Sequence, residues 1–134
     1  MTTPLEVVQE FCAAWAAKDL DTIGRLMADD VVYHNVGMEP AVGKEASLAT
    51  IQGFVAMAES ISFEIHRLAA DGNTVLTERT DTFVINGVKA PIAVMGSFEL
   101  RDGLIVAWRD YFDMGLTTRT MGGEAVDPSL LPNL

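Results

Sequence analysis

The chain has 134 residues, 49% of them hydrophobic, and a formal net charge of −10. That length suits one domain able to bury a core, and that composition excludes a disordered chain. The negative charge opposes phosphate backbones and anionic membrane surfaces, so nucleic acid is set aside as a partner and the acidity reads as an aid to solubility.

The first element is a helix. Thr3 is placed to cap it, Pro4 occupies the first helical position, and Glu6 completes a capping box. Leu5, Val8, Cys12 and Trp15 fall on one stripe. Cys12 is the single cysteine, which leaves no internal disulfide and no cysteine zinc site; in an apolar stretch it reads as packed. No signal peptide precedes this helix and no apolar run approaches membrane-spanning length, so a cytoplasmic protein is expected, with no membrane partner. A second short helix follows, with Asp19 as cap and Leu20, Ile23, Leu26 and Met27 as its buried stripe.

A short strand then runs from Val31 to Val36 into a loop carrying Gly37, Pro40 and Gly43. Lys44 to Glu59 reads as a third helix with Leu48, Ile51, Phe54, Val55 and Ala58 on its apolar side. Beyond Ser60 the helical period gives way to alternation, predicting strands over 61–69, 74–85, 90–100 and 104–114. Their breaks, DGN, NG and RDG, are hairpin signals, so the strands form an antiparallel meander. Helices ahead of such a meander predict an α+β fold, a curved sheet wrapped over helices with a cone-shaped cavity. The glycine- and proline-containing tail from Gly115 onward reads as irregular.

Strand parity exposes polar residues on apolar faces. In 74–85, Arg79 and Asp81 share a face with Val75, Phe83 and Ile85. In the last strand Asp110 falls among Leu104, Val106, Trp108, Phe112 and Met114. A lone buried carboxylate is costly, so Asp110 calls for a cation or several donors, and Arg79 is the natural one because its planar fork can serve Asp81 as well. In Val31–Val36, Tyr33 and Asn35 point the same way, two groups able to fix a water beside a carboxylate. Each residue keeps a plainer alternative: a structural ion pair, a satisfied core aspartate, a packed tyrosine, a turn-forming asparagine. His34 and His66 read as structural or exposed, and nothing in their spacing supports a metal site. Parity also puts Phe83, Ile92, Val94 and Phe112 on the faces of the polar five, with Trp15 closing the narrow end; plain core packing is the alternative. Gly96, on the face of Ile92 and Val94, removes bulk where a ligand could approach the sheet.

Y-x-N after a pair of acidic residues, E-R-x-D on one strand and W-R-D-Y-F-D on the last together resemble the limonene-1,2-epoxide hydrolase family, within the NTF2-like superfamily of cone-shaped α+β domains. The resemblance runs from the first helix to about Met114 and implies one NTF2-like domain over 1–134, three N-terminal helices packed in a curved mixed or antiparallel sheet. It implies that Tyr33, Asn35 and Asp110 hold a water, that ionised Asp110 takes its proton, that protonated Asp81 donates to the epoxide oxygen, and that Arg79 bridges both. The product would be a vicinal diol, made in one step from a lipophilic epoxide held by Phe83, Ile92, Val94, Phe112 and Trp15. No metal and no cofactor is required, and a homodimer is implied. Two other classes compete on the same fold: an isomerase or polyketide cyclase moving a proton beside a carbonyl, and a non-catalytic module binding apolar ligands.

Overall fold

The computed structural model describes residues 2–132. Helix α1 (Pro4–Ala16) starts as the capping box demands: the Thr3 hydroxyl accepts from the Glu6 backbone N–H, and the Glu6 carboxylate accepts from the Thr3 N–H at 3.1 Å. It buries Val7, Val8, Phe11, Cys12, Ala14 and Trp15, a wider stripe than predicted, with Leu5 at its edge. Helix α2 (Leu20–Arg25) is capped by Asp19, whose side chain accepts from the Thr22 N–H. Leu26 and Met27 lie outside it: Leu26 is the C-cap and Met27 opens strand β1 (Met27–Asn35), which therefore starts earlier than predicted.

After the short strand β2 (Ala41–Val42) and helix α3 (Lys44–Met57) come the long strands β3 (Ser60–Asp71), β4 (Thr74–Ile85), β5 (Val88–Arg101) and β6 (Leu104–Tyr111). Their tight turns have the left-handed backbone that such hairpins require, with φ of 51° and 75° at Asn86 and Gly87 and 53° and 78° at Asp102 and Gly103. The sheet order is β2-β1-β6-β5-β4-β3. The meander is antiparallel, but β1 pairs with β6 in parallel, so the sheet is mixed. No hairpin joins β1 to β6; α3 and four strands intervene, and the pair is free to align in parallel. Helix α1 packs against β3 and β4, and the core fills the space between.

Two expectations are corrected. Leu104 and Val106 do not share the inward face with Trp108 and Asp110. Ile105 is fully buried instead, because the register steps from Glu99↔Ala107 to Leu100↔Ile105. The extra residue on β6 is a bulge, and a bulge reverses the alternation on one side of it. The tail is also more ordered than its glycines suggested. β6 ends at Tyr111, Asp113 caps a fourth helix, α4 (Met114–Met121), and Pro128–Leu130 form a 3-10 turn. The Asp113 carboxylate accepts from the Leu116 N–H at 2.9 Å, which satisfies one free donor of the first turn.

Candidate active site

The inward face of β4 carries Thr77, Arg79 and Asp81 in strict alternation, all buried. Arg79 is 1% exposed, Asp81 3% and Asp110 4%. The guanidinium engages Asp81 in a fork, Nε to Oδ1 at 3.0 Å and Nη2 to Oδ2 at 2.8 Å. The same Nη2 donates to Asp110 Oδ2 on β6, also at 2.8 Å. Nη1 donates to Thr77 Oγ1 at 3.0 Å. Asp110 Oδ1 is held separately by the Trp108 indole N–H at 2.7 Å. The aromatic ring of Phe63 lies against the guanidinium, 5.0 Å from its carbon to the ring centroid.

Strand β5 lies between β4 and β6, so the two carboxylates meet across it. Gly96 pairs with both Thr77 and Asp110. A Cβ there would collide with Arg79 Nη1 and stand 2.8 Å from both Asp110 Oδ1 and Thr77 Oγ1. The missing side chain makes room for the guanidinium, and not for a ligand as its position in the sequence suggested. On β1, Tyr33 and Asn35 engage each other: Asn35 Nδ2 donates to Tyr33 Oη at 3.1 Å, and the tyrosine hydroxyl donates to Asn35 Oδ1 at a longer 3.4 Å. Asn35 pairs in register with Asp110. The Tyr33 ring stacks on Trp108 at 4.3 Å between centroids.

The electrostatics follow from burial. Burial pushes the Asp81 carboxyl up to about 6, against the opposing pull of Arg79. Burial alone would lower the Arg79 pKa, but the charges of Asp110 and Asp81 outweigh it and hold that pKa above its ordinary value. Burial, and then the Asp110 charge, pushes the Tyr33 hydroxyl above its usual range, so it keeps its proton. Cys12 takes no part: it is buried and its thiol is pushed up to about 12 by desolvation.

These groups open onto a cavity of about 220 Å³. Tyr33, Asn35, Asp81 and Asp110 line it, and so do Trp15, Phe83, Ile92, Val94 and Phe112; Arg79 lies behind the two acids. All ten residues singled out in the sequence therefore belong to one constellation. Sequence reasoning missed Trp108 as a donor, Thr77 as a support and Phe63 as a platform. Trp108 and Thr77 stand two residues from the groups they hold, on the same faces, and that spacing was a usable signal. It also missed the contribution of α4, whose Met114, Thr117, Thr118 and Met121 line the cavity. His34 and His66 stay outside the site: the His34 ring nitrogen contacts Met38 O, and that of His66 contacts Thr80 Oγ1. Among the described residues no three His, Cys, Asp or Glu side chains form a metal-binding group, and no helix is long and apolar enough to cross a membrane.

The sequence model of the limonene-1,2-epoxide hydrolase catalytic domain matches residues 2–121. An epoxide hydrolase, EphG, of Mycobacterium tuberculosis (strain ATCC 25618 / H37Rv) is 40% identical over 109 residues, spanning 80% of this chain and 71% of that protein. A solved structure of an M. tuberculosis LEH-like epoxide hydrolase superposes with a TM-score of 0.76 at 36% identity, covering 90% of each chain. A protein of ketosteroid isomerase-like fold from Catenulispora acidiphila DSM 44928 superposes with a TM-score of 0.79, covering 90% of this chain and 95% of that one. At 23% identity that likeness speaks for the NTF2-like cone alone.

Proposed function

The chain belongs to the limonene-1,2-epoxide hydrolase family and is an epoxide hydrolase, and from that premise we propose how its own residues divide the chemistry. Asp110 is the general base. A water held by Asp110, Tyr33 and Asn35 attacks one epoxide carbon and passes a proton to the Asp110 carboxylate. Asp81 is the general acid and gives its proton to the epoxide oxygen as the carbon–oxygen bond breaks. The product is a vicinal diol, released without a covalent intermediate. The site is left with protonated Asp110 and ionised Asp81, and one proton transfer between them restores it.

The observation that carries this reading is the single nitrogen, Arg79 Nη2, donating to Asp81 Oδ2 and Asp110 Oδ2 at 2.8 Å each. Two acids coupled through one cation share a proton unequally, and simultaneous acid and base catalysis requires that inequality. Such assistance typically contributes about 10²–10⁴-fold, with orientation of the water supplying much of the rest. The apolar lining suits a lipophilic epoxide. An isomerase needs an acid and a base but no arginine between them. A single turnover in heavy-oxygen water tests the assignment. The diol should carry the label and the protein none, and Asp110→Asn and Asp81→Asn should each abolish turnover with the fold retained. Label found in an aspartate, or activity confined to enolisable ketones, would overturn it.

We also propose a homodimer formed through the outer face of the sheet. Leu76, Met95 and Tyr111, on β4, β5 and β6, are each about half exposed there.

A further inference from the structure

Four aromatic rings from four elements meet on one wall of the cavity. Trp15 comes from α1, Phe54 from α3, Phe63 from β3 and Phe83 from β4, and all of them line the space. They touch in a closed cycle. Trp15 stacks on Phe63 with centroids 4.9 Å apart, and Phe63 meets Phe83 edge-on at 6.3 Å. Phe83 meets Phe54 at 6.2 Å, and Phe54 returns to Trp15 at 6.5 Å. The sheet sets this wall beside the proposed acid: Phe63 pairs in register with Asp81, and Phe83 follows Asp81 by two residues on the same face. Trp15 and Phe83 belong to the buried core. Phe54 and Phe63 are only partly buried and line the cavity, so ring surface remains for what enters it.

A wall needed only to exclude water can be aliphatic, as Ile92 and Val94 make it on β5. Aromatic rings add direction. Their faces are negative and their edges positive, and they prefer other rings stacked off-centre or edge-on. A cation could use the same faces, but the Arg79 guanidinium already lies over Phe63, 5.0 Å from its centroid, and would repel a second one. We propose that these four rings form a subsite for an aryl group, and that the epoxides this site handles best carry a flat aromatic ring on the oxirane. The inference rests on the epoxide hydrolase reading and names the class of its substrate. Simple burial runs the other way. A cyclohexyl group carries more apolar surface than a phenyl group, so a merely greasy wall favours the saturated ring. A preference for phenyl therefore reports the rings themselves, each contact contributing roughly two- to tenfold in affinity beyond burial.

Benzamide and cyclohexanecarboxamide, unreactive amides of one skeleton, test this by calorimetry apart from catalysis. The wild-type protein should bind benzamide about tenfold more tightly. Phe54→Leu with Phe83→Leu keeps the wall apolar but removes two rings, and should bring that ratio to one or below. The kcat/KM ratio of styrene oxide to cyclohexyloxirane should fall by a similar factor from wild type to variant, a comparison in which the intrinsic reactivities of the two epoxides cancel. Phe54→Leu alone, at a partly buried position, should lower the amide ratio about threefold and carries the test where the double variant does not fold. Benzamide bound no more tightly than the saturated amide by the wild type, a ratio that neither variant lowers, or tetramethylammonium bound more tightly than benzamide, overturns the proposal. Benzamide preferred by a protein that opens no epoxide would overturn the hydrolase reading and leave the aryl subsite standing. Epoxides opened by a protein that prefers the saturated amide would do the reverse.

Discussion

Gly96 shows how one hydrogen atom in place of a methyl group decides the site. It needs no unusual backbone, since it lies within the regular ladder of β5 between Thr77 and Asp110. Its role is space: a methyl group there would meet Arg79 Nη1, Asp110 Oδ1 and Thr77 Oγ1 together. Gly96→Ala should therefore fold, at an overpacking cost of about 1–3 kcal/mol, and lose at least a hundredfold in kcat as the bridge between the acids is displaced. Wild-type turnover in that variant would show that the bridge is not needed. Asp81 makes a second prediction, in stability. Its folded pKa, about 6, lies above its unfolded value, which is near 3.9. Between these values the folded state binds the extra proton, so stability falls as pH rises through this window and the penalty persists above it. Asp81→Asn should remove that slope from a series of denaturant melts taken across the window. As the proposed acid, Asp81 must be protonated, so kcat/KM should decline as pH rises past about 6. A melt series with the same slope in both proteins would assign the buried proton elsewhere.

Elements are where local signals were strongest. The α1 capping box is written in Thr3, Pro4 and Glu6, and it forms with both reciprocal hydrogen bonds. Thr3→Ala should cost about 1 kcal/mol in denaturant unfolding, with turnover unchanged once the protein is folded; no loss would mean that packing of Phe11 and Trp15 alone fixes the helix start. The β4 alternation was equally legible, since every second residue from Val75 to Ile85 is buried. Strand β6 was not. Its bulge comes from how β5 and β6 fit together, and no residue type at Val106 announces it. Helix α4 was missed for a related reason. Its composition disfavours a helix, and what defines it is a cap at Asp113 and a place across the mouth of the sheet.

At the scale of the whole molecule, a net charge of −10 sets the terms for self-association. On the outer sheet face Met95 stands opposite Tyr111, while Arg109 pairs with Glu99 and Arg67 with Glu78, so this face is locally neutral and partly apolar. The proposed dimer should therefore strengthen with added salt, which screens the overall repulsion. Met95→Lys should shift sedimentation toward the monomer, and a monomeric wild type at high protein concentration would dismiss the dimer. The sequence by itself determined the class of fold and the order of the long strands, and it singled out ten residues that the structure gathers around the cavity, because alternation and capping are local and a charge on an apolar face stands out without coordinates. Only the tertiary structure decided that β1 lies parallel to β6, that Arg79 Nη2 touches both acids at once, and that α4 lines the cavity. Those facts depend on strands far apart in the chain coming within hydrogen-bonding distance, and no local pattern of residues encodes that distance.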